Sequence, residues 1–265
     1  MSTPSLLLAA TLAVIASMTA LWLFGIRRRN FSYVDIGWSA NFALIALLCG
    51  ICGDGDPGRR LLIGSMYGLW GLRLAWHLGR RIAGEPEEGR YVELRRKWGV
   101  AGESALNKRM YRFYMVQAAL DVVLSLPLIV VAQNPAPSIA PLEWAALGLW
   151  ALALSGETLA DAQLAAFKRS GAGHGTVCER GLWRYSRHPN YFCEWLIWVA
   201  YALAALASPP WGWLGLAMPA LMLYFLLRVT GIPATEAQAL RSKGEAYRDY
   251  QRRTSAFIPL PPRRV

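Results

Sequence analysis

The stretch Gly181-Leu182-Trp183-Arg184-Tyr185-Ser186-Arg187-His188-Pro189-Asn190-Tyr191, followed by Glu194, leads straight into the apolar run Tyr191–Ala207. Arginines, a histidine, an amide and a carboxylate therefore stand where an apolar helix begins. Polar groups at the mouth of a lipid-embedded helix are costly, so such a cluster reads as a functional site by default. Arg and His beside the free backbone N–H groups of a helix start suit an anionic ligand.

Six further apolar runs accompany this one: Ser5–Ile26, Val34–Ile51, Leu61–Leu78, Tyr114–Ala132, Leu142–Gly156 and Trp211–Thr230. Crossing a bilayer takes ~20 apolar residues, and the runs 142–156 and 191–207 need their flanks to do so. The first run is longer than a secretory h-region and lacks a basic n-region, so a cleaved signal peptide is not expected. The pattern predicts an all-α integral membrane protein, with seven transmembrane helices plus cytoplasmic amphipathic helices. A single domain over residues 1–265 is expected, with the cofactor- and substrate-binding half at about 114–265.

The net charge of +11 is not a nucleic-acid footprint, because its distribution follows the spans. Of the 28 Lys and Arg, 25 follow the first, third and fifth runs or end or follow the seventh. Arg59 and Arg60, offset by Asp54 and Asp56, follow the second, and Arg73 lies inside the third. This alternation places the N-terminus outside and the C-terminus in the cytoplasm. Most of these charges serve topology and headgroup contact; no nucleic acid and no obligate protein partner are expected.

Cys49 and Cys52 form a C-x-x-C without accompanying His, and with Cys178 and Cys193 they read as small packing residues rather than a metal or redox site. The Gly-rich stretch 171–175, with His174 in it, follows no strand and is expected to be a loop, not a dinucleotide fingerprint. Glu157–Arg169 is expected to continue the fifth span as an amphipathic helix. Ala234–Arg253 reads as one further helix with Glu236, Leu240, Lys243, Tyr247 and Tyr250 on a shared face.

Four constellations could carry chemistry. Asp35, with Trp38 and Asn41, opens the second span, where a carboxylate needs a partner or a proton. Arg73, His77, Arg80 and Arg81 share one helical face; Arg80 and Arg81 fit topology signals, whereas His77, one turn deeper, suits general acid work. Glu157, Asp161 and Lys168 lie on one face after the fifth span, suited to ribose hydroxyls or to pairing with Arg73 and Arg187. Arg187, His188, Asn190 and Glu194 form the fourth. Arg80, Arg90, Lys168, Arg184 and Arg187 are all expected on the cytoplasmic side, where several could meet phosphates.

The motif Gly181–Tyr191 with Glu194 resembles the cofactor motif of the steroid 5α-reductase family, and within it the bacterial DUF1295 branch. Asn30–Trp38, Gly89-Arg90-Tyr91, Asp161-Ala162-Gln163, Gly231-Ile232-Pro233 and Tyr247–Tyr250 with Phe257-Ile258-Pro259 extend the likeness from residue 30 onward. The resemblance implies a seven-helix membrane enzyme, in a bacterial inner membrane, that binds NADPH and reduces a carbon–carbon double bond conjugated to a ketone. It implies cofactor binding at Arg80, Arg90, Tyr91, Asp161, Lys168, Tyr185, Arg187, His188, Asn190, Glu194 and Tyr247, with Asp161 on the nicotinamide side and Arg90 near the adenosine. Catalysis is assigned to Asp35 and His77, which align with the Glu and Tyr that polarise the substrate carbonyl in the steroid enzymes; Asp35 is expected to polarise His77. No metal is implied. The substrate is expected to be a steroid-like or other lipid enone entering from the bilayer among membrane lipids. The Arg-His-Pro-x-Tyr motif also occurs in sterol C14-reductases and in isoprenylcysteine carboxyl methyltransferases, so an S-adenosylmethionine-dependent methyltransferase is the alternative.

Overall fold

The computed structural model describes residues 1–171 and 175–263, and among these every regular element is helical, with no strand. His174 and Arg264 lie outside the described residues. The chain forms two compact units, Met1–Ala140 with Ala207–Gly212, and Pro141–Leu206 with Trp213–Val265. Residues 114–140, placed by the sequence with the binding half, therefore belong to the first unit.

In the first unit α1 (Thr3–Arg28) packs on α2 (Tyr33–Cys52), and α2 lies along α3 (Pro57–Ile82). A short helix α4 (Gly89–Trp98) precedes α5 (Glu103–Leu124), which packs on α1, and α6 (Leu126–Ala132), which packs on α3. Local chemistry sets these boundaries. Asp56 caps α3 by accepting from the Arg59 N–H at 3.0 Å, and Pro57 occupies the first turn, where its missing N–H costs nothing. The run expected as one span at 114–132 breaks at Ser125, just ahead of Pro127. Phe42, Tyr67 and Trp70 fill the α2–α3 seam.

The second unit pairs α7 (Pro141–Arg169) with α8 (Pro189–Leu206). After α9 (Ala217–Tyr224) the chain widens into a π-helical turn, Phe225–Val229, and continues as α10 (Ile232–Lys243) and α11 (Glu245–Arg253). The continuation of the fifth span through Arg169 holds, as one 29-residue helix. The single helix expected over Ala234–Arg253 does not. It is split at Gly244, whose backbone (φ 53°, ψ −123°) is accessible to glycine and strained for other residues.

Seven spans were expected from the sequence. Among the described residues four helices, followed through their local breaks, are long and apolar enough to cross a membrane: Thr3–Arg28, Tyr33–Cys52, Glu103–Ala132 and Gly212–Lys243. The other three expected spans are helical but more polar. α3 carries Arg59, Arg60, Arg73, His77, Arg80 and Arg81; α7 has Glu143, Glu157 and Asp161 around its apolar middle; α8 has 18 residues and includes Asn190 and Glu194. The apolar faces of α1 and α3 stay exposed, with Leu8, Leu12, Leu61, Leu69 and Trp76 each more than half accessible. Large exposed apolar faces on long apolar helices mark a membrane protein.

Close packing of α2 on α3 depends on Gly71. A Cβ there would lie 2.6 Å from the Ser39 carbonyl oxygen and 3.2 Å from the Phe42 Cβ, so backbone would have to move. Gly50 has open space around its would-be Cβ. Gly71→Ala is expected to cost about 1–3 kcal/mol through overpacking, lowering the melting temperature in detergent by several degrees. Gly50→Ala is expected to leave it unchanged or slightly raised.

Candidate functional site

In the first unit the site is built on the opening turn of α2 and the start of α4. Asp35 Oδ1 accepts from the Tyr91 hydroxyl at 2.8 Å and from the Arg90 guanidinium, while its Oδ2 is buried without a hydrogen-bond partner. The Arg90 guanidinium also lies over the Tyr91 ring, 4.6 Å from its centroid. Tyr91 is fully buried, and burial first, then the neighbouring Asp35 charge, pushes its phenol well above the usual value. The phenol therefore stays a hydrogen-bond donor at any ordinary pH.

A frame of charged residues fixes α4 against the start of α2. The Glu88 N–H donates to Ser32 Oγ at 2.9 Å, and Arg81 pairs with Glu88 at 2.8 Å. Glu87 accepts from the Phe31 N–H at 2.7 Å and pairs with Arg95 at 2.8 Å, with Arg95 stacked over Phe31. The partners given to Asp35 by the structure are thus Tyr91 and Arg90, where the sequence paired it with His77. His77 and Arg80 stand exposed on the last turns of α3. Arg90, expected on the adenosine, is engaged with Asp35 and Tyr91.

In the second unit the stretch that opened the sequence reading is docked at both ends. The Leu182 N–H donates to Gln163 Oε1 at 2.9 Å and Trp183 Nε1 to the Ala160 carbonyl at 2.9 Å, both on α7. Gly181 sits against Gln163 with φ 58°, where any Cβ would collide with that amide. Tyr250 of α11 donates to the Trp183 and Ser186 carbonyls, and Ser186 Oγ to the Phe257 carbonyl at 2.8 Å.

Glu236 of α10 is the centre of this cluster. Its Oε1 accepts from Arg187 Nε at 2.7 Å and from the Tyr247 hydroxyl at 3.4 Å, and lies 3.3 Å from His188 Nε2; its Oε2 accepts from Gln251 at 2.9 Å. Arg187 Nη1 also donates to the Gln251 carbonyl at 3.2 Å. The His188 ring is buried and stacks on Tyr191 at 5.3 Å, and Tyr191 bonds Thr235 at 3.1 Å. Burial and then the Glu236 charge hold the Tyr247 phenol protonated by raising its pKa. In the first turn of α8, Asn190 Nδ2 donates to Asp161 Oδ1 at 3.2 Å, while Asn190 Oδ1 is buried without a partner. Lys168 and Tyr185 stand exposed and Glu194 is half-buried on α8. The structure thus brings together Arg187, His188 and Tyr247 around Glu236, and Asp161 with Asn190.

Two residues absent from the sequence-derived site stand out. Glu236 was placed on a helical face with Tyr247 but given no part in the site. Asp121 is fully buried in α5, accepts from Asn41 Nδ2 at 2.7 Å, and leaves Oδ1 without a partner. An ionisable residue inside an apolar run was the available signal for it.

Removing Glu236 strands a nearly buried guanidinium. Glu236→Ala is expected to destabilise the protein by about 3 kcal/mol, read as a melting shift in detergent. A cost below about 1 kcal/mol would show the pair behaving as a surface ion pair.

Comparison with known proteins follows the same residues. No curated protein and no solved structure matches the chain. A family model described as "Protein of unknown function (DUF1295)" matches residues 21–254, a span that includes Asp35, Arg90, Tyr91, Asp161, Asn190 and Glu236. With that match over most of its length, the chain belongs to the DUF1295 family.

Proposed function

We propose that the protein is an NADPH-dependent membrane reductase acting on a carbon–carbon double bond conjugated to a ketone, in an apolar, bilayer-partitioning substrate. The observation that carries this reading is Asn190. Its carbonyl oxygen is a buried acceptor without a partner, fixed in direction by the bond from its amide to Asp161. A buried acceptor left open calls for an N–H donor, and the carboxamide of a nicotinamide is one. Lys168, Arg184 and Tyr185 stand exposed in the same unit, available to a nucleotide. The resemblance of Gly181–Glu194 to the steroid 5α-reductase cofactor motif points the same way.

The methyltransferase alternative draws on the same motif with a carboxylate for the methyl donor. Glu236, the carboxylate nearest that motif's Arg187 and His188, is already engaged by Arg187, His188, Tyr247 and Gln251. Its role in this reading is to hold the loop 181–191 in shape.

NADPH, when bound, supplies a hydride to the β-carbon of the enone. Negative charge then develops on the ketone oxygen, and a preorganised hydrogen-bond donor stabilises it. Tyr91 is a buried phenol kept protonated, held by Asp35 and flanked by the Arg90 cation, and so is preorganised to donate to that oxygen. His77 holds the aligned position and is the competing donor. In the proposed topology all seven apolar runs enter the bilayer, with the N-terminus outside and the C-terminus in the cytoplasm.

The test is NADPH oxidation over a panel of apolar enones. Tyr91→Phe and Asp35→Ala are each expected to lower turnover by about 10²–10³, with NADPH affinity within a few-fold of the parent. Parental turnover in both, with loss in His77→Ala, would move the donor to His77. Parental turnover in all three would remove the polarising role from this cluster.

A further inference from the structure

Beyond the cluster around Glu236, the second unit holds a cavity of about 270 Å³ where the C-terminal end of α11 meets the strap that follows it. Its lining includes Arg187, Arg252, Arg253 and Arg263, with Thr254 and Ser255 between them, and no carboxylate among the described residues. The strap is pinned on both sides: the Leu260 N–H donates to the Tyr185 carbonyl at 2.9 Å and the Arg263 N–H to the Arg253 carbonyl at 2.9 Å. The Arg187 N–H donates to the Ser255 carbonyl at 2.8 Å, closing the inner wall. The cavity is therefore a feature of hydrogen-bonded backbone.

The charges around it decide what it takes. Arg187 has most of its donors committed to Glu236 and to carbonyls, so it contributes field more than contacts. Arg253 meets Glu179 at 3.0 Å, and Arg252 meets Asp249 and, at 3.5 Å, Glu245. Those pairs are all about half exposed, where an ion pair is worth at most about 1 kcal/mol, so they can be exchanged for a better anion. A phosphomonoester is such an anion. It carries a charge of about −1.5 to −2 and three acceptor oxygens, which guanidinium forks meet with paired hydrogen bonds. The volume lies just below the roughly 300–1,000 Å³ of pockets that enclose a whole drug-sized ligand, and so suits a phosphoryl group and the part of the molecule next to it.

We propose that this cavity is a binding site for a phosphomonoester, with Arg252 and Arg263 as its principal donors and Arg253 in support. The group can arrive on a soluble nucleotide or on an anionic lipid headgroup; the chemistry recognised is the same. The inference does not rest on the nicotinamide reading, since its principal donors, Arg252 and Arg263, have no part in that reading, although Arg187 lines this cavity as well.

The test uses the full chain in phosphatidylcholine nanodiscs, titrated with adenosine 2′,5′-bisphosphate, and in parallel native mass spectrometry of retained phosphatidic acid against phosphatidylcholine. The double variant Arg252→Ala/Arg263→Ala is expected to lose about tenfold or more in affinity for whichever source binds. Arg252→Lys/Arg263→Lys, which keeps the charge but not the fork, is expected to fall between. Both positions are exposed, and an unchanged melting temperature certifies the fold. Arginine-dependent binding of the soluble compound assigns the nucleotide as source, and arginine-dependent retention of phosphatidic acid alone assigns the headgroup; either upholds the site. Affinity unchanged by the alanine double variant in both arms, or absence of binding in both, overturns it.

Discussion

One carboxylate, Glu236, organises the second unit. Arg187 from the loop and Tyr247 and Gln251 from α11 donate to its two oxygens, and His188 Nε2 lies 3.3 Å from one of them. Without that acceptor the Arg187 side chain, only 11% exposed, would keep a charge that its carbonyl partners do not neutralise. Charge-assisted bonds of this kind are the stronger hydrogen bonds, and here they fix loop 181–191 against α10 and α11. Asn190 and the following turns of α8 leave that loop in a direction set by it.

Lipid supplies the second constraint. A chain with long apolar helices has to satisfy its backbone within each helix and pair its polar side chains internally. The Asn41–Asp121 bond inside the first unit and the Asp35–Tyr91–Arg90 cluster at the start of α2 both follow that rule, except for one oxygen on each carboxylate. Buried oxygens without partners are the exceptions that call for a chemical explanation. Asp35 Oδ2 and Asn190 Oδ1 stand in residues that the sequence had already marked as functional, and Asp121 Oδ1 adds a position that it had not.

The fold was legible wherever a long apolar run continued without interruption. α1, α2 and the continuation of α7 to Arg169 are close to their expected bounds, because hydropathy and periodicity report on the helix itself. Breaks inside a periodic segment were less legible. Gly244 lies in a sequence whose spacing on either side still reads as one helix, and only its backbone angles reveal the interruption. Span number was overcounted relative to helices apolar enough to qualify, since α3, α7 and α8 mix apolar residues with charged ones. At the site, the motif 181–191 located the cluster, but pairings between distant residues were not readable from spacing. Asp35 meets Tyr91, 56 residues away in the chain, and Arg187 meets Glu236, 49 residues away.

The central claim, that the loop 181–191 and the open acceptor of Asn190 serve a nicotinamide cofactor, is tested most directly by equilibrium titration. Purified protein and its Asn190→Ala variant are titrated separately with NADPH, followed by nicotinamide fluorescence, and with S-adenosylmethionine, followed by calorimetry. The account predicts saturable NADPH binding that weakens in Asn190→Ala, and no saturation with S-adenosylmethionine. Saturable binding of the methyl donor without any response to NADPH would contradict it.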